Sequence, residues 1–239
     1  MTVAILTTSW DDGTPEDLVL GRLLAEYGYR GTFYATTGPA GRRTLDDNAL
    51  LEVVSLGHEI GNHGRSHRLF TELSMQELMK EVAWAEEQIR MFAEPHAIVA
   101  PPRGLVSKAG ITTLGANGFL VRTAPILGGR RQKPGLIIPS AQLYPHTRLR
   151  TYGHLIKWRS IPTVAYLKAW SRSRTVRARL GEMVSVAGDH GLLLHIWGHS
   201  REIETLGLWG ELEFLLEEAS ERGLLPATNS EAINASKAR

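Results

Sequence analysis

The 239-residue sequence predicts a single α/β domain, 1–239, in which strands and helices alternate as in a (β/α) barrel. Two observations predict it. Runs of β-branched and apolar residues alternate with segments of helical apolar spacing along most of the chain. Four strand-like runs are also followed directly by polar, ionisable motifs: Ser9-Trp10-Asp11-Asp12-Gly13, the stretch 61–67, Ala100-Pro101-Pro102-Arg103-Gly104 and His195-Ile196-Trp197-Gly198-His199. In a barrel of alternating strands and helices the C-terminal strand ends converge on one face, where catalytic groups collect. The length is ordinary for one such barrel.

The elements follow in order. Residues 2–9 read as a buried strand. Pro15 sits where a helix begins, and Leu18, Leu20, Leu23 and Leu24 continue helical spacing to about Tyr27. Residues 31–36 form a second strand, 46–56 a short helix ending at Gly57, and 58–63 a third strand. Ser74 and Glu77 have capping-box spacing and open a helix to about Phe92. Strand four is 97–100, followed by a helix near 107–116 and strand five at 119–122. The stretch 123–160 reads as loop apart from Leu136-Ile137-Ile138, then 175–187 as helix, 192–196 as a late strand and 208–222 as an acidic amphipathic helix.

Composition sets wide bounds. The hydrophobic fraction of 43% and charged fraction of 22% suit a globular protein, and Cys 0 excludes disulfides and cysteine catalysis. No basic region, long apolar segment or cleavage site precedes the first motif, so a cytoplasmic protein without a signal peptide is expected. No apolar run is long enough to span a bilayer. Net charge is only +2, yet no Asp or Glu lies between Glu94 and Glu182, while 15 of the 27 Lys and Arg fall from Arg103 to Arg179. That basic middle either favours an anionic substrate or pairs with acids elsewhere in the fold.

Asp11 and Asp12 leave a strand as neighbours, so their side chains point in different directions. One carboxylate can bind a metal while the other reaches the water activated there. Alone, Asp-Asp-Gly is equally good turn chemistry. The His63-x3-His67 pair has the spacing of two imidazoles on one face of a helical turn, as in zinc sites. With one carboxylate it supplies three N/O ligands and leaves positions open, which is the catalytic pattern. His195 ends an apolar run, and Trp197 and His199 beside it suggest a pocket wall. His58, His96, His146, His154 and His190 lack such company and read as structural.

Ser-Trp-Asp-Asp-Gly resembles the first motif of the polysaccharide deacetylases (carbohydrate esterase family 4, the NodB homology domain). Residues 57–63 with His67 resemble the second motif, 101–104 the third, and Leu194-His195 the last. The resemblance implies a distorted, incomplete (β/α) barrel. It also implies roles: Asp11 as general base; Asp12, His63 and His67 as ligands of one divalent metal; His195 as general acid; and the backbone N–H of Arg103 as an oxyanion donor. Zinc is the expected metal, with cobalt and nickel also suited to an Asp-His-His set. The chain departs from the family where Ala100 replaces an Arg that positions the catalytic Asp, and it lacks the later Asp that orients the catalytic His. Arg122 is the candidate for the first role, and Glu202 or His199 for the second.

The expected function is removal of an acetyl group from an N- or O-acetylated sugar, on an anionic glycan or glycolipid precursor. One rival is hydrolysis of a small non-sugar amide or imide on the same fold, which few exposed aromatic residues near the motifs would favour; Trp10 and Trp197 argue against it. The other is a non-catalytic carbohydrate-binding domain that kept its metal site, against which Asp11 and His195 both stand. Nucleic acid is not an expected partner, since the basic stretch carries no recognisable binding motif.

Overall fold

In the computed structural model, the described residues are 3–36, 45–123, 127–128, 140–147, 168, 171 and 173–237. The central strand is β1 (Ile5–Trp10), which passes through a short turn into α1 (Glu16–Glu26). Then come β2 (Gly31–Ala35), α2 (Asp47–Ser55), β3 (Glu59–Asn62), α3 (Met75–Ile89) and α4 (Lys108–Ala116). β4 (Leu127–Gly128) and β5 (Ser140–Gln142) are followed by α5 (Val176–His190), β6 (Leu193–Gly198), α6 (Ser200–Leu206), α7 (Trp209–Glu221), β7 (Leu225–Ala227) and α8 (Asn229–Lys237).

The strands order as β3-β2-β1-β6-β5-β4, parallel except for the β4–β5 pair. One edge of β1 serves two partners: Ile5, Leu6 and Thr7 pair with β7, and Thr8, Ser9 and Trp10 with β2. Beyond β3 the sheet continues through residues 97–100 and 119–122. These two segments join it by single parallel bridges, Asn62 to Val99 and Val99 to Val121, rather than as the full strands expected from their sequence. Among the described residues the outer edges at Val121 and β4 do not pair, so the architecture is an incomplete (β/α) barrel.

Local chemistry explains most elements. Asp46 caps α2 by accepting from the Ala49 N–H at 2.8 Å, and the Ser74–Glu77 capping box opens α3 as its spacing predicts. Along β1, Leu6 and Trp10 face the helices, in one core with Leu20, Leu24, Leu194, Ile196, Leu212 and Leu216. Alternation sends Thr7, Ser9 and Asp11 to the other face, which is polar. There Thr7 Oγ1 donates to Asn229 Oδ1 at 2.8 Å, and Asn229 Nδ2 donates to the Tyr34 hydroxyl at 3.0 Å. Gly61 permits a close approach here, since a Cβ would lie 2.5 Å from the Tyr34 ring.

The structure corrects the reading of 123–160 as loop, because β4 and β5 lie within it. Ser140-Ala141-Gln142 carries no β-branched signal and becomes a strand through pairing with β6 and β4. Leu136-Ile137-Ile138 and His154 lie outside the described residues. Two further helices, α6 and α8, and strand β7 also escaped the sequence reading.

Candidate active site

Asp12 follows β1 in a left-handed conformation, φ 82°, with Gly13 left-handed behind it at φ 62°. A Cβ on Gly13 would stand 3.3 Å from the Ala35 backbone, so the turn favours glycine on both grounds. The turn presents Asp12 Oδ1 to His63 Nε2 at 3.4 Å and to His67 Nε2 at 3.1 Å. His63 Nδ1 lies 2.7 Å from the Ala100 carbonyl, which can only accept. Nδ1 therefore carries a proton, and Nε2 is the ring nitrogen turned to Asp12.

The donor set fits a first-row cation. One ligand atom from each of Asp12, His63 and His67 lies within 4.8 Å of the other two. Asp12 Oδ1 is buried, and among the described residues no donor reaches it with hydrogen-bond alignment. The second bond that orients His63 is the usual support of a metal-ligating imidazole. Burial alone would raise the Asp12 pKa, but His63 and His67 outweigh it and hold the carboxyl below the usual range.

Asp11 is almost wholly buried and paired with Arg122, itself 1% exposed. The Arg122 guanidinium lies over the Tyr34 ring at 4.7 Å and the Trp197 ring at 5.6 Å. Arg122 thus reaches Asp11 from the segment that neighbours Ala100. Arg103 has an exposed side chain and a left-handed backbone, φ 56°, three residues beyond Ala100.

His195 is the correction. It pairs in register with Thr7, four residues before Asp11 on β1, so it sits about 13 Å deeper along the strands at roughly 3.3 Å per residue. It is fully buried, with Nε2 2.8 Å from Ser9 Oγ and Nδ1 2.9 Å from Ser140 Oγ. Burial, reinforced by the Arg122 charge, drives its pKa well below the ordinary value, so it stands neutral. The structure thus places His195 inside the barrel and not among the residues that line the cavity. Its orienting partners are Ser9 and Ser140, not Glu202 or His199.

His199 stands at the pocket with His67. Its Nε2 is 3.9 Å from Asp12 Oδ2, and its Nδ1 is 2.8 Å from Glu202 Oε2. Burial would lower its pKa, but the Glu202 hydrogen bond and the charges of Asp11, Asp12 and Glu202 lift it to about 9. A cavity of about 570 Å³ opens here, lined by Asp12, His67, His199 and Glu202 together with Tyr144 and Arg201. Trp10 is not available to a substrate, being fully buried behind β1, whereas Trp197 is partly exposed. Within the described part of the basic stretch, Arg122 and Arg179 are buried, and the lining cation, Arg201, lies outside that stretch.

Residues 3–121 match the family model described as polysaccharide deacetylase. The chain belongs to the polysaccharide deacetylase family. Among solved structures it is similar to a family 4 carbohydrate esterase from Streptomyces lividans in complex with acetate, at 14% identity and TM-score 0.61, covering 95% of this chain and 93% of that one. It is also similar to a family 4 acetyl xylan esterase from Clostridium thermocellum in complex with a cobalt ion, at 19% identity and TM-score 0.58, over 98% and 92%. A peptidoglycan deacetylase from Bacillus subtilis aligns at 18% identity and TM-score 0.58, over 99% and 93%. At these identities the likeness is one of fold. No curated protein matches in sequence. No described helix is long and apolar enough to cross a membrane.

Family membership makes the chain a hydrolase of the deacetylase type. The sequence reading had named Asp12, His67, His199 and Glu202, which line the cavity, whereas His195, which it expected there, lies inside the barrel. It missed Tyr144 and Arg201, which carry no motif signal of their own.

Proposed function

We propose that the protein is a metal-dependent hydrolase that removes an acetyl group from an acetylated sugar, with 1–239 as one catalytic domain. The supporting observation is Asp12 Oδ1, buried without an aligned donor and flanked by two imidazole nitrogens at the mouth of a cavity. A divalent cation held by Asp12, His63 and His67 would polarise the acetyl carbonyl and make water more acidic. Asp11, paired with Arg122, takes the proton of the attacking water. The Arg103 N–H is assigned to the carbonyl oxygen as it gains charge. His199, protonated and oriented by Glu202, gives its proton to the departing amine nitrogen or sugar oxygen.

Acetate release from a panel of N- and O-acetylated sugars, with small amides and imides included, tests this reading. The burial of Trp10 removes one aromatic that would stack on a sugar, so the small-amide arm is a genuine second reading. Elemental analysis should find one divalent ion per chain, lost in His63→Ala and His67→Ala with the fold retained. Unchanged metal content in both variants would remove the site.

The acid is tested by pH. Because the His199 pKa is raised to about 9, its acid form persists through neutrality and is lost as pH rises through that value. Removing the Glu202 charge takes away a raising influence, so Glu202→Gln should move the alkaline limb of the rate profile to lower pH. An unmoved limb would take Glu202 out of the mechanism.

A further inference from the structure

The loop carrying both imidazoles runs from Asn62 to His67 and contains two left-handed residues, Gly64 at φ 75° and His67 at φ 57°. A non-glycine residue at positive φ is strained and persists only where its surroundings enforce it. Here the enforcement comes largely from α3. Glu81 Oε2 accepts the backbone N–H groups of Arg65 at 3.0 Å and Ser66 at 2.9 Å, and Glu81 Oε1 accepts the Ser66 hydroxyl at 2.8 Å. One residue on, the Val82 carbonyl accepts Asn62 Nδ2 at 2.9 Å, and Asn62 Oδ1 accepts the Gly64 N–H at 2.9 Å. From β2's side of the loop, Thr36 Oγ1 donates to the Gly64 carbonyl at 2.9 Å.

These bonds divide the work. Asn62, Val82 and Thr36 fix the start of the loop, next to His63, which Ala100 also holds directly. Among the described residues, no backbone group bonds the His67 ring. Its placement depends on the two residues before it, and Glu81 binds both of their N–H groups as well as the Ser66 side chain. A carboxylate whose two oxygens span three donors fixes position and orientation together.

We propose that Glu81 is the positioning residue for His67, setting the third ligand of the metal site from outside the site; the inference rests on the metal-site reading above. The carboxylate acts through its reach rather than its charge. Glutamine is the conservative test, because its carbonyl oxygen can accept both backbone N–H groups while its amide faces the Ser66 hydroxyl, which can then accept. Aspartate keeps the charge but is one methylene too short to hold all three donors from the same helix position.

Cobalt(II) binding to the full chain provides the measurement, by calorimetric titration and by the visible absorption of the bound ion, which reports its ligand geometry. Glu81→Asp should weaken cobalt binding by about 10–100-fold, the usual cost of losing an outer-sphere partner, and alter the spectrum. Glu81→Gln should keep the parental affinity and spectrum. Parental binding by Glu81→Asp overturns the proposal, and with a loss in Glu81→Gln it points instead to a pure charge effect; equal losses in both variants also overturn it, because reach alone would spare glutamine. If Glu81→Asp fails to fold, Ser66→Ala, which removes one of the three bonds, should lower affinity in the same direction by a smaller factor, and unchanged binding there counts against the proposal. A parent chain that binds no cobalt would sink the metal-site reading itself, and Glu81's role with it.

Discussion

Replacing Arg122 with methionine should destabilise the protein by about 3–5 kcal/mol, the range for removing one partner of a buried ion pair. Methionine fills much of the space between the Tyr34 and Trp197 rings, so lost packing is the smaller part. The larger part is Asp11, which would remain as a buried carboxylate with its cation gone. Urea unfolding of Arg122→Met against the parent measures the loss. The double variant Asp11→Asn/Arg122→Met should recover most of it, because exchanging both members of a buried pair is often close to neutral. That recovered protein should nonetheless turn over at least about a hundredfold more slowly, since the proposed base is gone. A parental midpoint in Arg122→Met would show that Asp11 does not depend on this cation.

The second large effect is a stability that falls with pH because of Asp17. This carboxyl in the first turn of α1 is wholly buried. Ser200 Oγ donates to its Oδ1 at 2.5 Å, and among the described residues nothing donates to its Oδ2. Burial lifts its pKa to about 8, with the Ser200 bond opposing and the charges of Asp12, Asp11 and Glu16 adding to the rise. In the unfolded chain the group titrates near 4. Between those values the folded state keeps a proton that the unfolded state has lost, so each pH unit upward removes about 1.4 kcal/mol of stability. The contribution is complete below about pH 4 and exhausted once pH has risen through about 8. Asparagine has the shape of the protonated acid and nothing to ionise. Asp17→Asn should therefore gain up to about 4 kcal/mol over the parent between pH 5 and pH 8. Equal slopes of stability against pH in the two proteins would show that Asp17 is not the group responsible.

How much of this was legible in the sequence depended on distance along the chain. The α3 capping box, the Asp46 cap and the turn at Gly13 are written within a few residues of where they act. The Asp12, His63 and His67 cluster was legible because two strand ends bring short motifs together whatever the exact register. The choice between His195 and His199 was different. It turns on β6 aligning Leu193 with Ile5, which places His195 beside Thr7 deep in the barrel and carries His199 past the last strand residue. No local pattern states that alignment. Nor could β5 be read, since Ser140-Ala141-Gln142 owes its conformation to a partner more than fifty residues away. Glu81 was hidden in the same way, reaching a loop supplied by another part of the chain, whereas Arg122 could be named as a candidate but not paired with Asp11 by any local pattern.

The pairing of β1 with β6 and β7 also bears on how the protein is made. β1 is translated well before its partners Leu193–Gly198 and Leu225–Ala227, so one whole edge of it and half of the other wait until those strands are made. At 5–20 residues per second that wait is about 10–40 s. Throughout it, a strand built from Ile5, Leu6 and Trp10 is an unsatisfied template for pairing with any other nascent chain. Contacts of such sequence separation also place the protein among slow folders. Its yield in a cell should consequently respond to translation speed and to chaperones that shield the amino-terminal hundred or so residues until the last strand arrives.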